Sequence, residues 1–488
     1  GNLILKAYKN KVSKEEIAAI KSNAEVVDFI KSNKQAILEY LKLTDQKIGV
    51  QDKSGKIPLS FAQERLWFID KLEGSLQYHI PAVFRLKGKP NIDALELAIR
   101  EIVKRHQALR SVFITENGQP YQTLLPWQDW KLFRDQSAEP ISQTEVQDYI
   151  TSKIREPFDL VSDYMIRVNV LPISADETLL VATIHHIAAD GWSVGILVKE
   201  LIKWYNIFDL NLAPPDDEPT LQYADYAIWQ RNYLSADILK NKIAYWQQKL
   251  DEVPVLEMPA DFGRPAILST KGDVWVSKIN KQLKDGVNAV AMQNQATMFM
   301  TLLSAFKIFI YRCTGQNDIC IGTPIAGRQQ KETEDLIGFF INTLALRTQI
   351  DSGLNFNELL KREAANTLEA YENQDVPFEK IVEATVKVRD ISRTPVFQVM
   401  FALQNTPEVP EFKLGNLVLS QEPLTQQTAK FELLFNLEET PNGINLRIEY
   451  ASEVFSDSRI KTFETMFVDT LQLLVSNPAV PIKQLPIV

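Results

Sequence analysis

The side chains best suited to proton chemistry near neutral pH are imidazoles, and this 488-residue chain has four histidines: His79, His106 and the adjacent pair His185 and His186. None follows Ile187, so imidazole chemistry must come from the first half, and the second half can only shape, bind or gate. The pair opens the pattern His185-His186-x-x-x-Asp190-Gly191. A buried strand ending at such a pair can hold one imidazole in a single rotamer facing a channel. Asp190 is spaced to turn back toward an Arg or a backbone amide and lock the loop, while Gly191 leaves room for close approach. Other constellations are weaker. Gly322-x-x-x-x-Gly327 has the glycine spacing of a phosphate loop, but Arg328 and Gln329 stand where Lys and Ser/Thr are needed, so a turn is predicted. No Gly-x-Ser-x-Gly elbow occurs. Cys313 and Cys320, without a histidine near them in sequence, read as buried thiols, and no metal site is predicted.

The elements that must position the pair are legible around it. Residues 178–184 (TLLVATI) form a continuous apolar run of strand length, as expected of a strand buried on both faces. Ser193 reads as the N-cap of a helix carrying Val194, Leu197, Val198, Leu201 and Trp204 on one face. The histidines thus belong to a strand-to-helix loop. Helices are predicted at 60–72 and 93–107, with strands at 82–86 and 111–114. Residues 214–265, rich in Pro, Asp and Trp, are expected to link two lobes. A second set follows: strands at 274–279, 318–322, 344–349, 395–403 and 444–450, and a helix at 298–313. Residues 395–405 (PVFQVMFALQN) resemble the strand before His185 but lead to no His-His loop, which suggests a duplicated lobe with one active loop.

Composition narrows the classes. The formal charge of −9 and the absence of a basic stripe argue against duplex nucleic acid, and no apolar run approaches membrane-helix length, so a cytoplasmic protein is expected. The length exceeds what one core covers. Residues 1–56 differ, with eleven Lys, no Arg and seven acidic residues. A capping box, Ser13 to Glu16, predicts a helix at about 14–31, and a second short helix follows. The polar stretch 44–56 reads as a linker.

At these residues the chain resembles a known family. HHIAADGWS (185–193) is similar to the His-His-x-x-x-Asp-Gly motif of the condensation domains of nonribosomal peptide synthetases, relatives of chloramphenicol acetyltransferase. Six further segments match that family's motifs in order: LSFAQERLWFI (59–69), RHQALRSVF (105–113), YADYAIWQR (223–231), IGFFINTLALR (337–347), NQDVPFE (373–379) and SRTPVFQVMF (392–401). Asn373 departs from the usual His. Both histidines are kept, which favours peptide-bond-forming domains over heterocyclisation and recruiting relatives, and the SRTP form looks more like domains taking an L-configured donor. The segment 1–44 is similar to the C-terminal part of a synthetase docking domain, a candidate dock for an upstream synthetase subunit.

The resemblance implies an α/β (α+β) fold of two chloramphenicol-acetyltransferase-like lobes in a V-shaped pseudo-dimer, plus a small helical N-terminal segment. The expected division is a docking-like segment 1–44, a linker 45–57, an N-terminal lobe 58–225 and a C-terminal lobe 226–488. The implied reaction joins a donor acyl or peptidyl thioester to the amine of an acceptor aminoacyl thioester. Both would arrive on 4′-phosphopantetheine, from an upstream donor carrier protein and a downstream acceptor carrier protein, with no cofactor bound by the domain itself. His186 is the implied catalytic residue, as general base or as a group that positions the amine or the tetrahedral intermediate. His185, Asp190, Gly191, Trp192 and Ser193 are implied loop members, Arg65 the ion-pair partner of Asp190, and Asn342 a tunnel-lining residue. Two rivals remain: an acyltransferase using diffusible acyl-CoA, and a module that recruits partners without turnover. The donor and acceptor residues are not readable from sequence.

Overall fold

The computed structural model describes residues 47–136, 141–267, 269–387, 390–404, 413–422 and 428–486; the docking-like segment 1–44 lies outside them. Two six-stranded mixed sheets dominate. In the first, the strands Lys413–Leu414, Leu417–Gln421, His79–Lys87, Glu177–His185, Ile166–Ser174 and Phe133–Arg134 lie side by side in that order. The second runs Asn342–Gln349, Asp318–Ile325, Val399–Gln404, Leu433–Thr440, Gly443–Ala451 and Gly272–Asn280. Each sheet packs its helices over its own apolar core. The helix Met298–Thr314 is buried on all sides from Met300 to Ile310, as a sequence apolar all round requires. It starts on the Thr297 side chain and stops at Gly315, which takes the left-handed conformation at φ 72°. The Lys307 ammonium, drawn into that core, is neutralised by Glu363 at 2.7 Å. Among the described residues no single helix is long and apolar enough to cross a membrane.

The lobes are not two contiguous halves. The expected boundary at 225/226 falls inside the helix Tyr223–Tyr233. Leu417–Gln421, from the second half, pairs antiparallel with Phe84–Lys87 of the first sheet. Glu422 clamps this crossing strand through a two-pronged contact with Arg85, at 2.9 and 3.1 Å. Nor is the described part of the linker a free spacer. Ile48 is buried in the first core, and the buried Asp225 carboxylate accepts from Gln51 N and Lys53 Nζ, both at 2.8 Å.

The internal duplication is real in topology but sits elsewhere than residues 395–405. Glu177–His185 forms a hairpin with Ile166–Ser174 and pairs with His79–Lys87. Its counterpart is Gly443–Ala451, which forms a hairpin with Leu433–Thr440 and pairs with Gly272–Asn280. Both strands lead through a short loop into a long helix, Gly191–Asp209 and Asp457–Ser476. Only the first loop carries histidines.

Candidate active site at the lobe seam

The apolar strand Glu177–His185 delivers the two histidines to opposite fates, because successive side chains on a strand point to opposite faces. His185 is fully buried. Its Nδ1 accepts from Ile187 N at 3.1 Å and its Nε2 lies 2.9 Å from Ser75 Oγ, whose proton goes to Asp70 at 2.6 Å. Both ring nitrogens are therefore committed within the first lobe. His186 is half-buried. Its backbone N–H donates to Tyr78 O at 2.8 Å, and its ring stands between Tyr78, at 6.5 Å, and Phe339 of the second half, at 5.1 Å. Nδ1 lies 2.9 Å from Ala189 O. A carbonyl only accepts, so Nδ1 carries the proton and Nε2 is left as an acceptor.

Burial pushes the pKa values of both histidines down to about 3, and burial also lowers that of His79; the nearby Lys430 ammonium adds to the depression at His186. Near neutral pH the imidazoles are uncharged. Unfolding releases them to about 6.5, so between pH 6.5 and 3 the unfolded chain binds protons that the folded chain does not. Stability is therefore expected to hold above pH 6.5 and to fall as pH drops below it, by about 1.4 kcal/mol per pH unit for each such histidine. Urea midpoints at pH 7 and 5 check this; His186→Ala should show the shallower dependence, and equal slopes would contradict the assignment.

Asp190, not Ser193, caps the helix Gly191–Asp209. Its buried carboxylate takes the Ser193 N–H at 2.8 Å, and Ser193 Oγ lies 2.7 Å away. The ion-pair partner is Arg328, with Nη2 at 3.0 Å, and not Arg65. Arg328 comes from the segment read as a turn in the sequence. It follows Gly327, whose φ of +65° and whose 2.0 Å clearance between a built Cβ and Phe340 O leave no room for a side chain. The guanidinium is almost fully buried, lies 4.1 Å over the Phe340 ring and donates to Leu336 O at 2.7 Å and to Thr333 O. Asp190 also receives Phe340 N at 3.1 Å, Ser193 Oγ exchanges bonds with the Gly338 backbone, and Trp192 Nε1 donates to Glu334 O at 2.9 Å. Together these bonds fasten the histidine loop to residues 334–340 of the second half.

Arg65 pairs across the seam with Glu379, at 2.6 Å. The pair stands where two clefts meet. One, of about 990 Å³, is lined by Tyr226, Trp229, Phe339 and Asn342; the other, of about 810 Å³, by Trp67, Phe68, Val253 and Ile391. His186 lines neither, but Phe339, against which it packs, lines the larger. Asn342 lines that cleft with its amide already used: Nδ2 donates to Gln374 O and Val376 O at 2.8 and 2.7 Å, and Oδ1 accepts Phe378 N at 3.1 Å. It holds residues 374–378 in place.

Two glycines separate packing from passage. A Cβ on Gly338 would fall 1.9 Å from a ring carbon of Tyr223, which is buried and whose hydroxyl donates to Phe339 O at 2.6 Å. A Cβ on Gly191 meets nothing within 4 Å. Gly338→Ala is therefore expected to cost about 2 kcal/mol or more by overpacking, whereas Gly191→Ala should fold like wild type. Denaturant midpoints decide; equal stabilities would contradict this packing.

Residues 53–488 match the family model described as Condensation domain. A linear gramicidin synthase of Brevibacillus parabrevis is 39% identical over 438 residues, 88% of this chain but 9% of that protein. Malpinin synthetase of Mortierella alpina is 39% identical over 84% of this chain and 5% of its own length, and a plipastatin synthase of Bacillus subtilis is 34% identical over 91% and 17%. The chain thus spans a small fraction of each of these relatives. Among solved structures, the X-domain from teicoplanin biosynthesis is 25% identical with a TM-score of 0.83, covering 90% of this chain and all of that one. The first condensation domain of the calcium-dependent antibiotic synthetase is similar in fold, at 18% identity and a TM-score of 0.71, over 89% and 100%. With the His-His loop fastened at the seam of two matching lobes, the chain belongs to the condensation-domain family, the amide-forming acyltransferase domains of nonribosomal peptide synthesis.

Proposed function

We propose that this domain joins a donor acyl or peptidyl thioester to the amine of an acceptor aminoacyl thioester, each presented on the 4′-phosphopantetheine arm of a carrier protein, with His186 as the catalytic residue. The observation that carries the reading is the state of His186: a neutral imidazole, its Nδ1 proton spent on Ala189 and its Nε2 an acceptor, between walls supplied by both lobes. An acceptor nitrogen there suits an attacking amine. The amine nitrogen bonds to the thioester carbonyl carbon, the carbonyl oxygen takes up the displaced electron pair, and collapse expels the donor thiolate, which receives the proton the amine gives up. An α-amine has a reference pKa of about 7.7 to 8.0, so a useful fraction is unprotonated near neutrality. A group depressed to about 3 is too weak a base to hold that proton outright. His186 therefore orients the amine lone pair and relays the proton as the carbon–nitrogen bond forms.

The two clefts that meet at Arg65 and Glu379 give two pantetheine arms room to approach. A second reading is a module that recruits partners without turnover; the X-domain from teicoplanin biosynthesis, similar in fold, has been solved in complex with OxyB. The acceptor nitrogen of His186 supports turnover instead. The test supplies the same acyl group on a carrier or on coenzyme A, with the acceptor held on its carrier. Faster transfer from the carrier thioester supports the proposal; equal or faster transfer from coenzyme A supports the free-standing acyltransferase, and carrier binding without transfer the recruiting module.

A further inference from the structure

From the second lobe the Lys430 ammonium is set against Tyr78, the residue that packs on His186. The segment 428–432 is fixed from both sides: Ala429 N donates to Thr270 O at 2.9 Å, Lys430 N to Glu449 Oε1 at 3.2 Å, and Arg264 grips Glu432 with two bonds of 2.9 and 3.1 Å. A Cβ on Gly272 would strike Ala429 at 2.4 Å, so the backbones are in close contact. From this support the Lys430 ammonium reaches over the Tyr78 ring, 5.1 Å from its centroid. Tyr78 is the residue whose carbonyl holds His186 N and whose ring meets the imidazole edge to face. A chain of contacts therefore runs from the second lobe through Tyr78 to the imidazole. Lys430 is exposed to solvent, and desolvation against the surrounding protein lowers its pKa. The charges facing Lys430 are the Glu449 carboxylate, which raises its pKa, and Arg65, which lowers it and is itself paired with Glu379; His185, next to His186 in the chain, is neutral and faces the first core.

We propose that Lys430 is an electrostatic residue of the bond-forming step, its ammonium, set over Tyr78 beside His186, favouring the negative charge that develops on the thioester carbonyl oxygen. This rests on the peptide-bond reading above. The oxygen gains an electron pair when the amine attacks and returns it when the thiolate leaves, so a fixed cation nearby favours the intermediate over either thioester.

The test compares wild type with K430R, K430M and K430E by single turnover at saturating loaded carriers at pH 8, and by NMR titration of the four histidines, before and after each substitution. The expected result is a fall of about ten- to a hundredfold in the maximal rate for K430M, a larger one for K430E, and recovery in K430R. The His186 titration should move upward in the order wild type, K430M, K430E. A K430M rate within about twofold of wild type, or a loss confined to KM, would overturn the catalytic part. An unchanged His186 titration would overturn the electrostatic link, whatever the activity. Should wild type itself fail to join the thioesters while the titration shifts as expected, the peptide-bond reading fails and the link stands.

Discussion

His186→Ala is expected to lower the single-turnover rate of transfer about 10²- to 10⁴-fold at saturating carriers, the range for a lost acid/base or positioning group. Its denaturation midpoint at pH 7 should stay close to wild type. The reason is the division of labour in the loop: the fold of residues 187–193 is held by Asp190, through Ser193, Arg328 and Phe340, and the His186 ring adds one hydrogen bond to Ala189 O. His185→Ala should behave in the opposite way. It removes a buried ring that holds Ser75 and the Ile187 N–H, so stability falls and activity follows the folded fraction. Rates normalised to folded protein separate the two; a His186→Ala enzyme with near-normal rate would remove this residue from the chemistry.

Arg328→Met is expected to be among the most damaging single changes in the chain. It leaves the buried Asp190 carboxylate without its cation and takes the guanidinium donor from Leu336 O and Thr333 O. Removing one partner of a buried ion pair costs about 3–5 kcal/mol. The loss falls on the seam, so the histidine loop and residues 334–340 should come apart together. Arg65→Met makes the contrast. Its side chain is 37% exposed and its partner Glu379 25% exposed, so the pair is worth about 1 kcal/mol or less. Paired urea titrations of the two variants, with unchanged slopes, measure this directly. If Arg65→Met proved the more destabilising, the pairing described here for Asp190 would be wrong.

The difference between these arginines shows where sequence reading stopped. The strand before His185, the loop and the helix after it were legible because a continuous apolar run, a polar break and a helical stripe are local patterns. The partner of Asp190 was not, since it lies 138 residues away in a segment that reads as a turn. The available hint was Gly327 directly before an arginine, a glycine demanded by backbone approach to Phe340. Ser193 reads as the cap because serine commonly caps helices; in the fold Asp190 takes the role, its carboxylate serving cap and ion pair at once. Leu417–Gln421 joining the first sheet is likewise invisible locally, because nothing in five residues states which sheet edge they complete. Residues 395–405 read like the strand before His185 for a related reason: composition is shared by many buried strands, while order in the sheet, set by pairing, gives that role to Gly443–Ala451 and not to Val399–Gln404.

The claim at the centre of this account is that the domain itself joins two carrier-bound thioesters at His186. The most direct measurement mixes wild-type protein with a donor-loaded and an aminoacyl-loaded carrier, quenches within a single turnover and weighs both carriers intact, alongside His186→Ala. The account predicts that the donor mass moves to the acceptor carrier in the wild type and stays put in the variant, the donor carrier returning to its free thiol form. Donor mass that remains on its own carrier in wild type, or that moves equally well in His186→Ala, would contradict it.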